Sequence, residues 1–292
     1  SKFVDYWKAT DPRRVYTGAS VGNSWQWQPH NEYHVKAGAR GLSWAGAQPE
    51  SESDYRARID TVKQPYVSHE TGQWCVFPNF NEIRKYTGVN KAKNFEIFRD
   101  ILNDNHMGGQ SYDFMMASGK LQALCYKHEI EKTLRTPDYA GFQLLALNDY
   151  SGQGTALVGV LDVFFEEKGY ITAEQFRRFC SPTVPLARIP KFVYTNDETF
   201  HTDIEVSHFG AAPLQGAKTI YTIKDKFGKV YAKGTVGTQT IPIGNLCALG
   251  SVDMNLNGID TPQKLNLEVC IEGCDAVNDW DFWVYPAQVE LT

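Results

Sequence analysis

The chain has 292 residues, 42% of them hydrophobic and 22% charged, enough for a sizeable core in one large domain or two smaller ones. A net charge of −5 with no Lys/Arg block argues against nucleic acid as a partner, and no run approaches the roughly 18 apolar residues of a membrane span. Six cysteines (Cys75, Cys125, Cys180, Cys247, Cys270 and Cys274) lack metal-ligand spacing. No metal or other cofactor is therefore expected, and buried free thiols are favoured, with Cys270 and Cys274 the pair to bridge if any does.

Phe3, Val4, Tyr6 and Trp7 recur at helical spacing ahead of Asp11-Pro12-Arg13-Arg14. With neither a signal peptide nor a cap before that helix, the chain reads as a cut piece. Residues 14–20 predict a strand, 21–31 a Trp- and Gln-rich loop, 32–35 a second short strand and 36–53 a Gly- and Ser-rich loop. Gln64-Pro65-Tyr66-Val67-Ser68 predicts a third strand, and Gly72 frees the backbone where the chain must turn. Helical periodicity covers 94–106 and 111–134, the latter with Phe114, Met115, Leu121, Leu124 and Ile130. Between them, His106-Met107-Gly108-Gly109-Gln110 reads as a helix-ending turn rather than a phosphate loop, since no Lys follows. A fourth strand over 141–147 stops at Asn148-Asp149-Tyr150, and a helix follows from about Thr172 to Phe179. Apolar strands alternating with helices predict a parallel sheet.

After Pro190 the pattern changes to short alternating runs at 202–208, 218–223, 229–233, 240–243, 264–271 and 280–285. Asp225-Lys226-Phe227-Gly228 sits between two of them as a hairpin turn would. These predict an immunoglobulin-like β-sandwich, with a boundary near 186–192 that divides the chain into 1–188 and 189–292.

The most informative stretch is Val67-Ser68-His69-Glu70-Thr71-Gly72-Gln73-Trp74, which sets a carboxylate at a strand's exit among imidazole, amide and indole groups. Catalytic groups collect at the carboxyl ends of strands in parallel α/β barrels, so Glu70 is the candidate catalytic residue. The bland alternative is a surface-turn Glu satisfied by backbone donors. Trp74 is a candidate stacking wall and Gln73 a hydroxyl ligand. His69 adjoins Glu70, but neighbours on a regular strand face opposite ways. Asn148, Asp149 and Tyr150 close the fourth strand at the same rim, and Trp25, Trp27, His34 and Trp44 belong to loops expected to overhang it. Against these roles stand the commoner ones, a core aromatic or an Asn-Asp turn or cap. Gly18-Ala19-Ser20-Val21-Gly22 has the Gly-x-Ser-x-Gly spacing, but a loop and not a helix is predicted after it, so it is no nucleophile elbow, and no His-Glu-x-x-His occurs.

The order helix, Asp-Pro-x-Arg, strand, aromatic loop, His-Glu-x-Gly-Gln-Trp, Gly-Phe-Gln-Leu-Leu-x-Leu-Asn-Asp-Tyr and terminal sandwich resembles the carboxyl-terminal half of glycoside hydrolase family 2. That family includes β-galactosidases and β-glucuronidases. The resemblance runs over nearly the whole chain in element order and is detailed at residues 1–20, 64–78 and 139–162. It implies strands five to eight of a (β/α)8 TIM barrel followed by the sandwich, with Glu70 as the nucleophile that ends the seventh strand. It implies that the acid/base, the Glu of an Asn-Glu pair ending the fourth strand, lies upstream of residue 1. Asn31-Glu32 is too near to replace it, because the 38 residues from 32 to 70 cannot hold three strand–helix units of about 30 residues each. The implied partners are an oligo- or polysaccharide and the upstream half of the polypeptide. The implied compartment is periplasmic or extracellular. Open edges on a half barrel make a homo-oligomer one expected consequence.

Two functions follow. The first is a fragment of a retaining β-glycosidase, whose two carboxyls stand about 5–5.5 Å apart, inactive without its upstream half. The second is a non-catalytic carbohydrate-binding or structural module, which would tolerate Glu70→Gln.

Overall fold

The computed structural model describes residues 2–18, 28–61 and 63–288. Helix α1 (Lys2–Thr10), strand β1 (His34–Lys36), the single-turn α2 (Arg56–Ile59) and strand β2 (Tyr66–Thr71) come first. They are followed by a 3₁₀ turn (Phe80–Lys85), α3 (Lys93–Asp104), α4 (Ser111–Leu134), β3 (Tyr139–Leu144) and α5 (Ala173–Arg177). Eight strands complete the chain: β4 (Thr183–Arg188), β5 (Val193–Thr195), β6 (Thr199–His208), β7 (Leu214–Asp225), β8 (Val230–Ile241), β9 (Gly244–Asn255), β10 (Gln263–Ile271) and β11 (Val277–Tyr285). The fold thus mixes helices with sheets that hold most of its strands.

The chain divides into two compact units. One comprises Ser1–Gly41, Thr61–Ile130 and Ala140–Phe176; the other Leu42–Asp60, Glu131–Tyr139 and Arg177–Thr292. In the first, β1, β2 and β3 lie side by side in that order, and β1 runs parallel to β2 with His34 opposite Tyr66. Its apolar centre gathers Val76, Ala92, Phe95, Met115, Leu157 and Tyr170.

Among the described residues these three strands form an open sheet with no barrel closure. One expectation for this unit needs correction. Residues 14–18 form no strand, because side chains take the backbone donors a partner strand would need: Glu32 Oε2 accepts from Tyr16 N at 2.9 Å and Asn31 Oδ1 from Gly18 N at 2.9 Å.

In the second unit a five-stranded sheet, ordered β5-β11-β10-β7-β8, and a three-stranded sheet, β4-β6-β9, enclose one core. Period-two burial is clean in β10, where Leu265, Leu267, Val269 and Ile271 are all fully buried, and in β11 with Trp280, Phe282 and Val284. Phe200 stacks on Phe282 with centroids 4.2 Å apart, and Tyr194 meets both rings edge-on. The 225–228 hairpin forms as expected, Gly228 N donating to Asp225 O at 3.0 Å. The runs at 229–233 and 240–243 are not two strands: residues 230–233 and 240–241 belong to the continuous β8. The six cysteines are unbridged.

Candidate functional site

Strand β2 buries Tyr66 and Ser68 and would send Glu70 the same way, but the backbone breaks that rhythm. Glu70 adopts a left-handed conformation, φ 56°, and Gly72 another at φ 83°. For a residue with a Cβ this costs of order 1–3 kcal/mol, and surrounding contacts must hold it. Arg40 does so: its Nη1 donates to the carbonyls of His69 and Glu70, both at 2.7 Å, and reaches Glu70 Oε2 at 3.3 Å. Gln73 Nε2 donates to the same oxygen at 3.2 Å. The carboxylate is 37% exposed, and its less engaged oxygen, Oε1, lies 3.6 Å from His69 Nε2. The left-handed turn therefore cancels the opposite-face expectation for His69. His69 Nδ1 in turn pairs with Gln143 Oε1 on β3 at 3.2 Å.

The result is a half-open carboxylate on a strained backbone, ringed by guanidinium, imidazole and two carboxamides. One oxygen is fixed and the other is free to attack an electrophile. The carboxamides and imidazole suit hydroxyl groups.

The other expected residues fall elsewhere. Trp74 Nε1 donates to Glu129 Oε2 at 2.7 Å, so its polar edge is committed inside the protein. His34 is 1% exposed on β1, and burial, then Lys36, push its imidazole below the ordinary range. Asp149 is buried: Oδ2 pairs with Lys168 Nζ at 2.6 Å and Oδ1 accepts from Gly159 N at 2.9 Å. Asn148 Nδ2 donates to the Asp149 carbonyl, and Tyr150 is exposed. Trp44 is half-buried in the second unit. Trp25 and Trp27 lie outside the described residues. Glu32 binds Tyr16 N, with Lys8 3.7 Å from its other oxygen.

Sequence reasoning missed Arg40, Gln143 and Glu129. Arg40 sits in a Gly-rich loop 30 residues from its partner, so spacing carried no sign of it. Gln143 alternates outward on a strand already read, and that could have singled it out.

A second polar cluster in this unit also escaped notice. Glu82, on the 3₁₀ turn, is 1% exposed, and among the described residues neither carboxyl oxygen accepts a hydrogen bond. Burial, with Asp162 and Asp149 adding repulsion, raises its carboxyl to about 7. Asp162 itself is paired to Lys85 at 2.5 Å. Among the described residues no group of three or more His, Cys, Asp or Glu side chains could hold a metal. Among the described residues no helix is long and apolar enough to cross a membrane.

Residues 198–286 match a family described as a domain of unknown function, DUF8488, under a third of the chain. No curated protein matches it. Among solved structures it is similar to a Parabacteroides merdae β-glucuronidase at 16% identity, over 30% of this chain and 12% of that one, TM-score 0.24. An Amycolatopsis orientalis exo-chitosanase matches at 12% identity over 64% and 21% of the two chains, TM-score 0.36. An FMN-binding β-glucuronidase from Facaelibacterium prausnitzii L2-6 matches at 9% identity over 99% and 38%, TM-score 0.28. Glycosidases recur among these neighbours, beside proteins of other kinds at comparable scores. The chain spans 12% to 38% of the length of the three, and a likeness this slight carries no argument about fold or chemistry.

Proposed function

We propose that the chain is part of the catalytic domain of a retaining β-glycosidase of the family 2 kind, with Glu70 as nucleophile. The observation that carries this reading is the half-exposed Glu70 carboxylate on a left-handed backbone held by Arg40. Strained backbone that neighbours must hold is characteristic of working sites. The His-Glu-x-Gly-Gln-Trp motif around it supports the same reading.

In this scheme Glu70 Oε1 attacks the anomeric carbon while a second carboxyl protonates the departing oxygen. The glycosyl ester so formed is then opened by water, activated by that same second group. Gln73, His69 and Gln143 take sugar hydroxyls. Among the described residues the groups bonded to Glu70 include no second carboxyl, and the reading assigns the acid/base to a part of the polypeptide upstream of Ser1. It likewise assigns β1 to β3 to a partial (β/α)8 barrel that the upstream half completes. An extracytoplasmic oligo- or polysaccharide as substrate, and self-association through open sheet edges, belong to the same proposal.

The test is hydrolysis of a panel of aryl β-glycosides by the full-length polypeptide and its Glu70→Ala variant. The variant loses turnover and regains it with azide, yielding a glycosyl azide of inverted configuration. Undiminished turnover by the variant overturns Glu70 as the nucleophile, and no turnover by either protein, with glycan binding retained, favours a sugar-binding module.

A further inference from the structure

The groups that ring Glu70 are carried mainly on loops. Arg40 follows β1, and Gln73 with Trp74 follows β2. Both loops are tied to one side chain. Gly41 N, next to Arg40, donates to Glu129 Oε1 at 2.7 Å, and Trp74 Nε1, next to Gln73, donates to Glu129 Oε2 at 2.7 Å. The Gly72 N–H also favours the ionised form of this carboxylate. Glu129 is 2% exposed and stands on α4, one face of which serves the β2 loop throughout. Gln122 Nε2 donates to Trp74 O at 2.6 Å. The Tyr126 ring lies so close that a Cβ on Gly72 would sit 1.9 Å from it. Residues 122, 126 and 129 recur at the spacing that puts side chains on one helical face.

A carboxylate buried this deeply is costly, and burial pushes its proton affinity up. The donors from Gly41 and Trp74 counter that cost. They are charge-assisted bonds, roughly twice as strong as neutral ones. Hydrogen bonds of this kind fix geometry as well as energy, and Arg40, one residue from Gly41, is what holds the left-handed turn at Glu70.

We infer that Glu129 is the positioning residue of the Glu70 site, a strut on α4 that fixes the Arg40 loop and the Gln73–Trp74 loop on either side of the carboxylate. The inference rests on the reading of Glu70 as a nucleophile. It assigns Glu129 no contact with substrate. Its removal therefore slows attack by Glu70 far more than it weakens sugar binding.

The test compares full-length wild-type protein with Glu129→Gln, and with Trp74→Phe as a milder variant that loses one bond and keeps the carboxylate. A glutamine offers one acceptor oxygen and turns an NH2 toward the remaining donors, so one loop is released. Two readouts are taken: inactivation kinetics with 2-deoxy-2-fluoro glycosides, and the ¹H–¹⁵N resonances of the Trp74 indole and of the Gly41 and Gly72 amides. The expected result is shifted resonances in Glu129→Gln. Its inactivation rate constant falls by about tenfold or more while inhibitor affinity stays within about threefold, and Trp74→Phe lies between. Superimposed resonances in Glu129→Gln overturn the strut. Shifted resonances with an unchanged rate constant overturn the positioning role. Wild-type protein that no glycoside inactivates overturns the glycosidase reading and the role with it. That failure is told apart because the wild type, and not the variant alone, is silent.

Discussion

Glu82 makes stability depend on pH in an unusual direction. Its buried carboxyl faces Asp162 and Asp149, with Lys168 and Lys85 only partly offsetting them, and it holds its proton up to about pH 7 against an ordinary 4.5. In the unfolded chain the same group ionises near 4.5. The contribution to stability is therefore complete below pH 4.5, falls as pH rises from 4.5 to 7, and is flat above. At 1.36 kcal/mol per pH unit the loss is about 3 kcal/mol. Glu82→Gln keeps the shape and removes the titration. The variant should match wild type near pH 4.5 and exceed it by up to about 3 kcal/mol at pH 8. Urea unfolding followed by tryptophan fluorescence at pH 4.5, 6, 7 and 8 measures the difference, and comparing the two proteins cancels the other titrating groups. Parallel curves at every pH, or a wild type more stable than the variant at pH 8, would refute a buried protonated Glu82.

Three further outcomes are expected. Gly72→Ala combines a φ of 83° with a Cβ 1.9 Å from the Tyr126 ring, so it should cost at least about 2 kcal/mol in urea melts. Arg135→Ala strips the cation from buried Glu131, 3.5 Å away, while Asn278 and Trp280 still donate to that carboxylate. A loss of about 3–5 kcal/mol is expected, and a loss under about 1 kcal/mol would contradict a buried ion pair there. Glu70→Gln, at a strained and half-exposed position, should leave the unfolding free energy within about 1 kcal/mol of wild type while abolishing any glycosidase turnover.

What could be read from the sequence was what repeats. Helix α4 has the bounds expected, 111–134, although Leu121 and Leu124 are exposed and its apolar residues keep to no single face, whereas β10 and β11 alternate cleanly. Along β8, Gly234 and Gly237 interrupt the alternation as turn residues would. Gly237 instead faces the Leu249 carbonyl, where a Cβ would sit 2.4 Å from the oxygen. Strand β9 was missed because its pairing with β6 jumps from Gly250 to Ala248, a bulge that puts Leu249 and Val252 three apart rather than two. The segment 14–18 has β-forming residues, but Glu32 and Asn31 side chains capture its backbone. The place of Glu70 near the end of β2 was legible from its own strand. Arg40 and Glu129 were not, because their roles arise from contacts 30 and 55 residues away in the chain, which no local pattern encodes.

The most direct measurement is peptide mass mapping of the full-length protein after incubation with 2-deoxy-2-fluoro glycosides, which trap the glycosyl ester on the nucleophile. A fluoroglycosyl adduct on the peptide that contains Glu70, absent from Glu70→Gln, is the expected result and would also name the sugar. An adduct on another carboxylate, or no adduct from any sugar while glycan binding persists, would contradict Glu70 as nucleophile.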